Sequence, residues 1–98
     1  MCDIHQVNLA GVDLNLLVVL HAVIEERSAT RAAARLHLTQ PAVSNALARL
    51  RILLGDPLVV RTGRGLTPTP AALAVQPRLD EALRLVQGIV AGLDAFDL

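Results

Sequence analysis

Two helix-start signals, Ser28 and Thr39, stand only eleven residues apart, and they limit what this chain can become. Each is a residue whose side-chain oxygen can accept a free N–H of a first helical turn. Between them lies ATRAAARL, room for about two turns of helix, followed by the short link His37-Leu38. In that short helix Ala29, Ala32, Ala33 and Leu36 are expected to face inward, and Arg31 and Arg35 outward. The small alanines allow close helix–helix approach. After Thr39 come Gln40 and Pro41. Proline is tolerated in a first turn because its missing N–H had no intrahelical partner there. The third helix is expected to run to about Leu54, with Val43, Leu47, Leu50 and Leu54 as its buried stripe and Gly55 as the residue that ends it. Two helices joined by so tight a link form a helix-turn-helix.

The remaining elements follow from the same kind of signal. Residues 1–12 show no period and are expected to form a loose lead-in. Asp13 is an N-cap candidate for a first helix over about Leu14 to Glu26, with Leu14, Leu17, Val18, Leu20, Ala22, Val23 and Ile24 as its apolar face. Beyond Gly55, Leu58-Val59-Val60-Arg61, a Thr62-Gly63-Arg64-Gly65 turn and Leu66-Thr67-Pro68 predict a small β-hairpin, a wing. Thr69-Pro70 starts a fourth helix of about 23 residues, in which Pro77 should cause a kink or remove one hydrogen bond. Past Pro77 the residues Leu79, Leu83, Val86, Val90 and Leu93 repeat at spacings of four and three, a stripe that calls for a partner helix. The expected fold is mainly α: a winged helix-turn-helix over 13–68, then a long linker or dimerisation helix over 69–95. Its core must be aliphatic, because the chain has one Phe and no Trp or Tyr.

The formal net charge of zero hides an uneven distribution. Residues 1–26 carry four acids and no Arg, a charge of −4. Residues 27–64 carry seven Arg against Asp56 alone, giving +6, and residues 65–98 carry two Arg against four acids, giving −2. A polyanion meets the local field of the middle segment, not the total. Other classes find little footing. One cysteine, Cys2, excludes an internal disulfide, and with three scattered His it draws no metal site, so no metal or cofactor is expected. The first residues lack the basic and long apolar parts of a signal peptide. No run of about 18 uncharged apolar residues is present, so a cytoplasmic location with no membrane partner is expected. No acid pair, activated nucleophile or phosphate loop can be assembled, so an enzyme is not expected.

In a helix-turn-helix the second helix enters the DNA major groove, led by its N-terminal residues. Here those are Thr39, Gln40, Pro41, Ser44, Asn45, Ala48 and Arg49. Gln40, Ser44 and Asn45 face away from the buried stripe. Gln and Asn can bond adenine at two points, and Ser reads donor or acceptor. Uncharged groups of this kind carry sequence information, whereas a charged face grips phosphate. Arg64, between glycines, suits insertion into a narrow minor groove. Arg31, Arg35, Arg49, Arg51 and Arg61 suit phosphate contact. The residues alone leave a second class open. A helical protein-interaction or dimerisation module without nucleic acid would explain the Leu79 to Leu93 stripe equally well, though not the arginine clustering or the Gly-Arg-Gly turn.

The stretch SATRAAARLHLTQPAVSNALARLRILLGDPLVVRTGRGLTPTPAA, Ser28 to Ala72, resembles the N-terminal winged helix-turn-helix domain of LysR-type transcriptional regulators. The matching features are the Ala-rich second helix, the TQPAVS entry to the third, the GDPLVVR segment before the wing and the LTPT exit into a long helix. The preceding GVDLNLLVVLHAVIEE resembles the first helix of NodD-like members. The resemblance implies a sequence-specific DNA-binding bacterial regulator. It would be a homodimer paired through its linker helix, and the full-length protein could form a tetramer. It would bind double-stranded DNA at an interrupted inverted repeat, with recognition helices in the major groove and wings in the minor groove. By position, it implies base contact by Gln40, Pro41, Ser44 and Asn45, a minor-groove contact by Arg64, and phosphate contact by Ser28, Thr30 and Arg31. Thr39, Arg49 and Arg61 join the expected phosphate contacts. Many members place Arg where this chain has Asn45, so adenine rather than guanine is expected at that base. The resemblance also implies that a small-molecule effector would act only through a C-terminal domain following residues 96–98.

Overall fold

A computed structural model describes the backbone of residues 8–96 and the side chains of residues 8–92. A 3-10 turn over Leu9–Gly11, capped by the Asn8 side chain, stands where a loose lead-in was expected. The elements that follow are α1 (Asn15–Glu26), α2 (Ala29–Leu36), α3 (Gln40–Leu54), β1 (Val59–Thr62), β2 (Gly65–Pro68) and α4 (Pro70–Phe96). This is the mainly α winged helix-turn-helix that the start and stop signals predict. The 27 residues of α4 give a rod roughly 40 Å long, and the molecule measures 51 × 35 × 22 Å.

The caps explain the element boundaries. Asp13 acts one place ahead of the helix edge: its Oδ1 accepts the Asn15 N–H at 3.1 Å, while Leu14 holds the cap position with no side-chain bond. Ser28 Oγ accepts the Arg31 N–H at 3.1 Å, and Thr39 Oγ1 accepts the Ala42 N–H at 3.2 Å. At the other ends, Arg27, His37 and Gly55 all turn into the left-handed region, with φ of 54°, 59° and 68°. After α2 the Leu38 N–H reaches back to the Ala33 carbonyl at 2.9 Å, which closes the helix in a two-residue link.

One core joins all four helices and the hairpin. It contains Leu16, Leu20 and Val23 of α1, Ala32 and Ala33 of α2, Val43, Leu47 and Leu50 of α3, Val59 and Leu66 of the wing, and Ala72 and Leu79 of α4. The face of α1 differs from expectation: Leu16 and Val19 are buried, while Leu14 and Val18 are exposed. From Leu16 to Ile24 every residue but His21 is apolar, so periodicity alone could not choose the face. In α3 Ala46 joins the buried set and Leu54 lies outside it, because the helix runs past the edge of the core before it ends. A further correction concerns Leu79, which is 5 % exposed and belongs to this core rather than to a free stripe. Leu83 also packs against the core from its edge. The core therefore does not stop at residue 68: the first half of α4 completes it. α4 runs on through Pro77, which lacks the N–H that would have bonded the Leu73 carbonyl.

The wing is an antiparallel pair with Val59 opposite Pro68, Arg61 opposite Leu66 and Thr62 opposite Gly65, so Gly63 and Arg64 form its tip. Its base is held by one carboxylate. Asp56 Oδ2 accepts both the Leu58 N–H and the Thr69 hydroxyl, each at 2.7 Å. The first bond helps hold Leu58 at φ +69°, a costly conformation for a branched residue, while its side chain is buried. The second fixes the Thr69 cap of α4.

Candidate nucleic-acid interface

With Val43, Ala46, Leu47 and Leu50 turned into the core, α3 presents Gln40, Pro41, Ser44 and Asn45 to solvent, all exposed on its N-terminal half. Among the described residues no side-chain hydrogen bond occupies Ser44 or Asn45, so their donors and acceptors are available, whereas Gln40 has one partner. Thr30 Oγ1 on α2 donates to Gln40 Oε1 at 3.3 Å.

Beside this tip lies a groove of about 180 Å³ bounded by the start of α2, the start of α3 and the wing. Arg27, Arg31, Arg61 and Arg64 line it together with Ser28, Thr30 and Gln40. Four arginines, from the turn before α2, from α2 and from the wing, line this concave surface next to uncharged hydrogen-bonding groups. Such a surface attracts a phosphate backbone and gives little foothold to a cation.

Local contacts hold the groove together. The Leu66 N–H donates to the Arg27 carbonyl at 3.1 Å, which pins the wing to the turn between α1 and α2. Gly65 passes so close that a Cβ there would meet the Arg27 oxygen at 2.8 Å, and its φ of +110° also requires glycine. Arg31 is steadied by Glu26: its Nη2 donates to the Glu26 carbonyl at 2.6 Å, and its Nε lies 3.5 Å from the Glu26 carboxylate.

The three hydroxyls expected at phosphates are not equivalent. Ser28 and Thr39 use an oxygen lone pair as caps and keep their protons for a phosphate oxygen, which can only accept. Thr30 spends its single proton on Gln40.

The arginines also divide. Arg61 and Arg64 are exposed on the wing. Arg49 sits apart from the groove, 3.4 Å from Asp13. Arg51 Nε donates to the Pro57 carbonyl at 3.2 Å. Arg35 lies 2.7 Å from Glu25 and 3.4 Å from Glu26, and lines a different hollow between α1, α2 and α4, so it does not join the groove. Its hydrogen bond to Glu25 raises its pKa above the ordinary guanidinium value, and it stays charged.

Two features escaped sequence reasoning. Arg27 belongs to the groove, and its only signal was its place in the basic segment. His21, Glu25 and Asp80 meet within 4.8 Å although they are spread over two helices. Arg35 already partners Glu25 in that cluster, and His21 Nε2 lies 3.1 Å from Asp80, so the group reads as a polar network that fastens α4 to α1.

The proposed pairing stripe on α4 is only partly at the surface. Leu79 and Leu83 are engaged with the domain's own core, Val86 and Val90 are exposed, and the Leu93 side chain lies outside the described residues. The exposed apolar face consists instead of Leu85, Val86, Ile89 and Val90. No helix among the described residues is long and apolar enough to cross a membrane.

Residues 14–73 match the family model described as bacterial regulatory helix-turn-helix protein, lysR family. The HTH-type transcriptional regulator SyrM of Rhizobium etli is 49 % identical over 86 residues, which covers 88 % of this chain and 26 % of that protein. Nodulation protein D 1 of Bradyrhizobium sp. (strain NC92) is 49 % identical over 87 residues, covering 89 % of this chain and 28 % of that protein. The chain thus spans about a quarter of the length of these curated relatives. The crystal structure of the BenM_DBD/catB site 1 DNA complex is similar in fold, with a TM-score of 0.79 at 29 % identity over 87 % of this chain and 96 % of that one.

Proposed function

The chain belongs to the LysR family of bacterial helix-turn-helix regulatory proteins, and from that premise we propose that it binds double-stranded DNA by sequence, as the DNA-binding and dimerisation part of a transcriptional regulator. The observation that carries this reading is the exposed face of Gln40, Pro41, Ser44 and Asn45 set against the groove of Arg27, Arg31, Arg61 and Arg64. In this reading α3 enters a major groove, where its uncharged groups read base edges. Arg64, at the tip of the wing, enters the flanking minor groove. Ser28, Thr39, Arg31 and Arg61 hold phosphates and set the register. The solved DNA complex of a protein of similar fold supports DNA as the partner.

The homodimer is part of the same proposal. Leu85, Val86, Ile89 and Val90 make an apolar stripe on a helix that projects beyond the core, and a second copy of α4 would cover it. Two copies then present two α3 tips, which fits an inverted repeat. The function is binding rather than catalysis, and its setting is the cytoplasm. A small-molecule effector would act through the portion of such relatives that this chain does not span.

Selection of bound sequences from a random duplex pool tests the proposal. The expected product is a pair of inverted half-sites at fixed spacing. A pool that emerges with no enriched sequence would refute base reading by α3.

A further inference from the structure

Among the described residues, Gln40 is the one member of the base-reading set whose side chain has a hydrogen-bond partner in the free protein. A free glutamine amide is a fork: its N–H donates and its oxygen accepts, which suits the N7 and N6–H edge of adenine. Both prongs must point the same way for that contact. Here Oε1 is turned toward α2 and accepts the Thr30 hydroxyl at 3.3 Å, so the acceptor prong is engaged within the protein while the NH₂ keeps its donors. The surrounding charge favours the same orientation. Gln40 lines the groove that holds Arg27, Arg31, Arg61 and Arg64, and the negative end of an amide dipole settles toward such a positive field.

We infer that Thr30 is a positioning residue for specificity: it holds Gln40 as a pure hydrogen-bond donor, so that this position accepts guanine or thymine edges, is indifferent to the adenine fork, and rejects cytosine. Guanine offers N7 and O6 and thymine offers O4, all acceptors, while cytosine offers an N4–H₂ donor that would oppose the Gln40 NH₂. The inference rests on the proposed reading that Gln40 touches a base. It also removes Thr30 from the phosphate contacts, since the hydroxyl's one proton is committed.

The test uses duplexes built on the selected half-site. The base pair facing Gln40 is the one whose preference changes in Gln40→Ala. Affinities for four duplexes that differ only at that pair are then measured by fluorescence anisotropy for the wild type, Thr30→Val, Thr30→Ser and Thr30→Val combined with Gln40→Ala. Thr30 is exposed, and Thr30→Ala serves as a second hydroxyl-free variant. The wild type should bind the duplex with cytosine facing Gln40 roughly five- to 150-fold more weakly than the guanine or thymine duplex. Thr30→Val should free the fork and raise adenine relative to guanine by roughly fivefold or more. Thr30→Ser should restore the wild-type order, and Thr30→Val should have no further effect once Gln40 is Ala. The inference is overturned if Thr30→Val keeps the wild-type order. It is equally overturned if Thr30→Val weakens all four duplexes alike with a shallower salt dependence, the mark of a phosphate contact. If Gln40→Ala changes no base preference, base reading by Gln40 falls first and the role of Thr30 falls with it.

Discussion

α3 and α4 begin in the same way and end up with opposite outer faces. Each is capped by a threonine, with the Ala42 N–H donating to Thr39 at 3.2 Å and the Ala72 N–H donating to Thr69 at 3.1 Å, and each has a proline in its first turn. Each also sends a buried stripe into the same core, Val43, Leu47 and Leu50 from one and Ala72 and Leu79 from the other. On the outside, α3 shows uncharged hydrogen-bonding groups near its start, whereas the far half of α4 shows Leu85, Val86, Ile89 and Val90. The inner faces determine the fold and are interchangeable in kind. The outer faces distinguish a helix suited to base edges from one suited to another apolar surface.

The largest effect that can break this comparison lies along α4 itself. Leu79→Ala should cost about 2–5 kcal/mol of folding stability, read as a lower denaturant midpoint, because Leu79 is 5 % exposed. Ile89 is 71 % exposed, so Ile89→Asp should leave an isolated subunit's stability within about 0.5 kcal/mol while shifting sedimentation to the monomer. An unchanged oligomer in Ile89→Asp would remove this face as the pairing surface.

A smaller effect concerns the joint between the two helices. Asp56→Ala strips the partner from both the Leu58 N–H and the Thr69 hydroxyl, and should cost about 1–3 kcal/mol in thermal or chemical unfolding. It should also weaken DNA binding through a loosened wing. Wild-type stability in this variant would show that the positive φ of Leu58 is held by packing alone.

The smallest expected effect sharpens the α3 side. Glu26 neutralises Arg31 at the rim of the groove. Both groups are solvent-accessible, so Glu26→Gln should raise affinity for nonspecific duplex by less than about fivefold. Weaker binding instead would mean that Glu26 serves chiefly to aim Arg31.

Much of the fold was legible because its signals are local. Ser28, Thr39 and Thr69 mark helix starts through bonds that span three residues, and Gly55 marks an end. The exposed Gln40, Ser44 and Asn45 followed from the position of the stripe behind them. What stayed hidden depends on distance or on redundancy. From Leu16 to Ile24, Leu, Val and Ile occupy every place but His21 and Ala22, so choosing Leu16 and Val19 over Leu14 and Val18 required the packed core. Leu79 continued a plausible seam, and only the docking of α4 on α1 shows that it turns inward. The Arg49–Asp13 contact joins residues 36 apart, and the Thr30–Gln40 bond depends on the angle between two helices, so neither leaves a sequence trace.

The central claim is that the α3 tip and the arginine groove form one DNA-binding face. It is tested most directly by the salt dependence of affinity for a duplex carrying the selected repeat, measured by fluorescence anisotropy for the wild type and for Arg61→Ala. The expected result is a log affinity that falls linearly with log salt from about 50 to 200 mM, with a slope shallower by about one per half-site in Arg61→Ala. An affinity independent of salt, or a slope that Arg61→Ala leaves untouched, would contradict it.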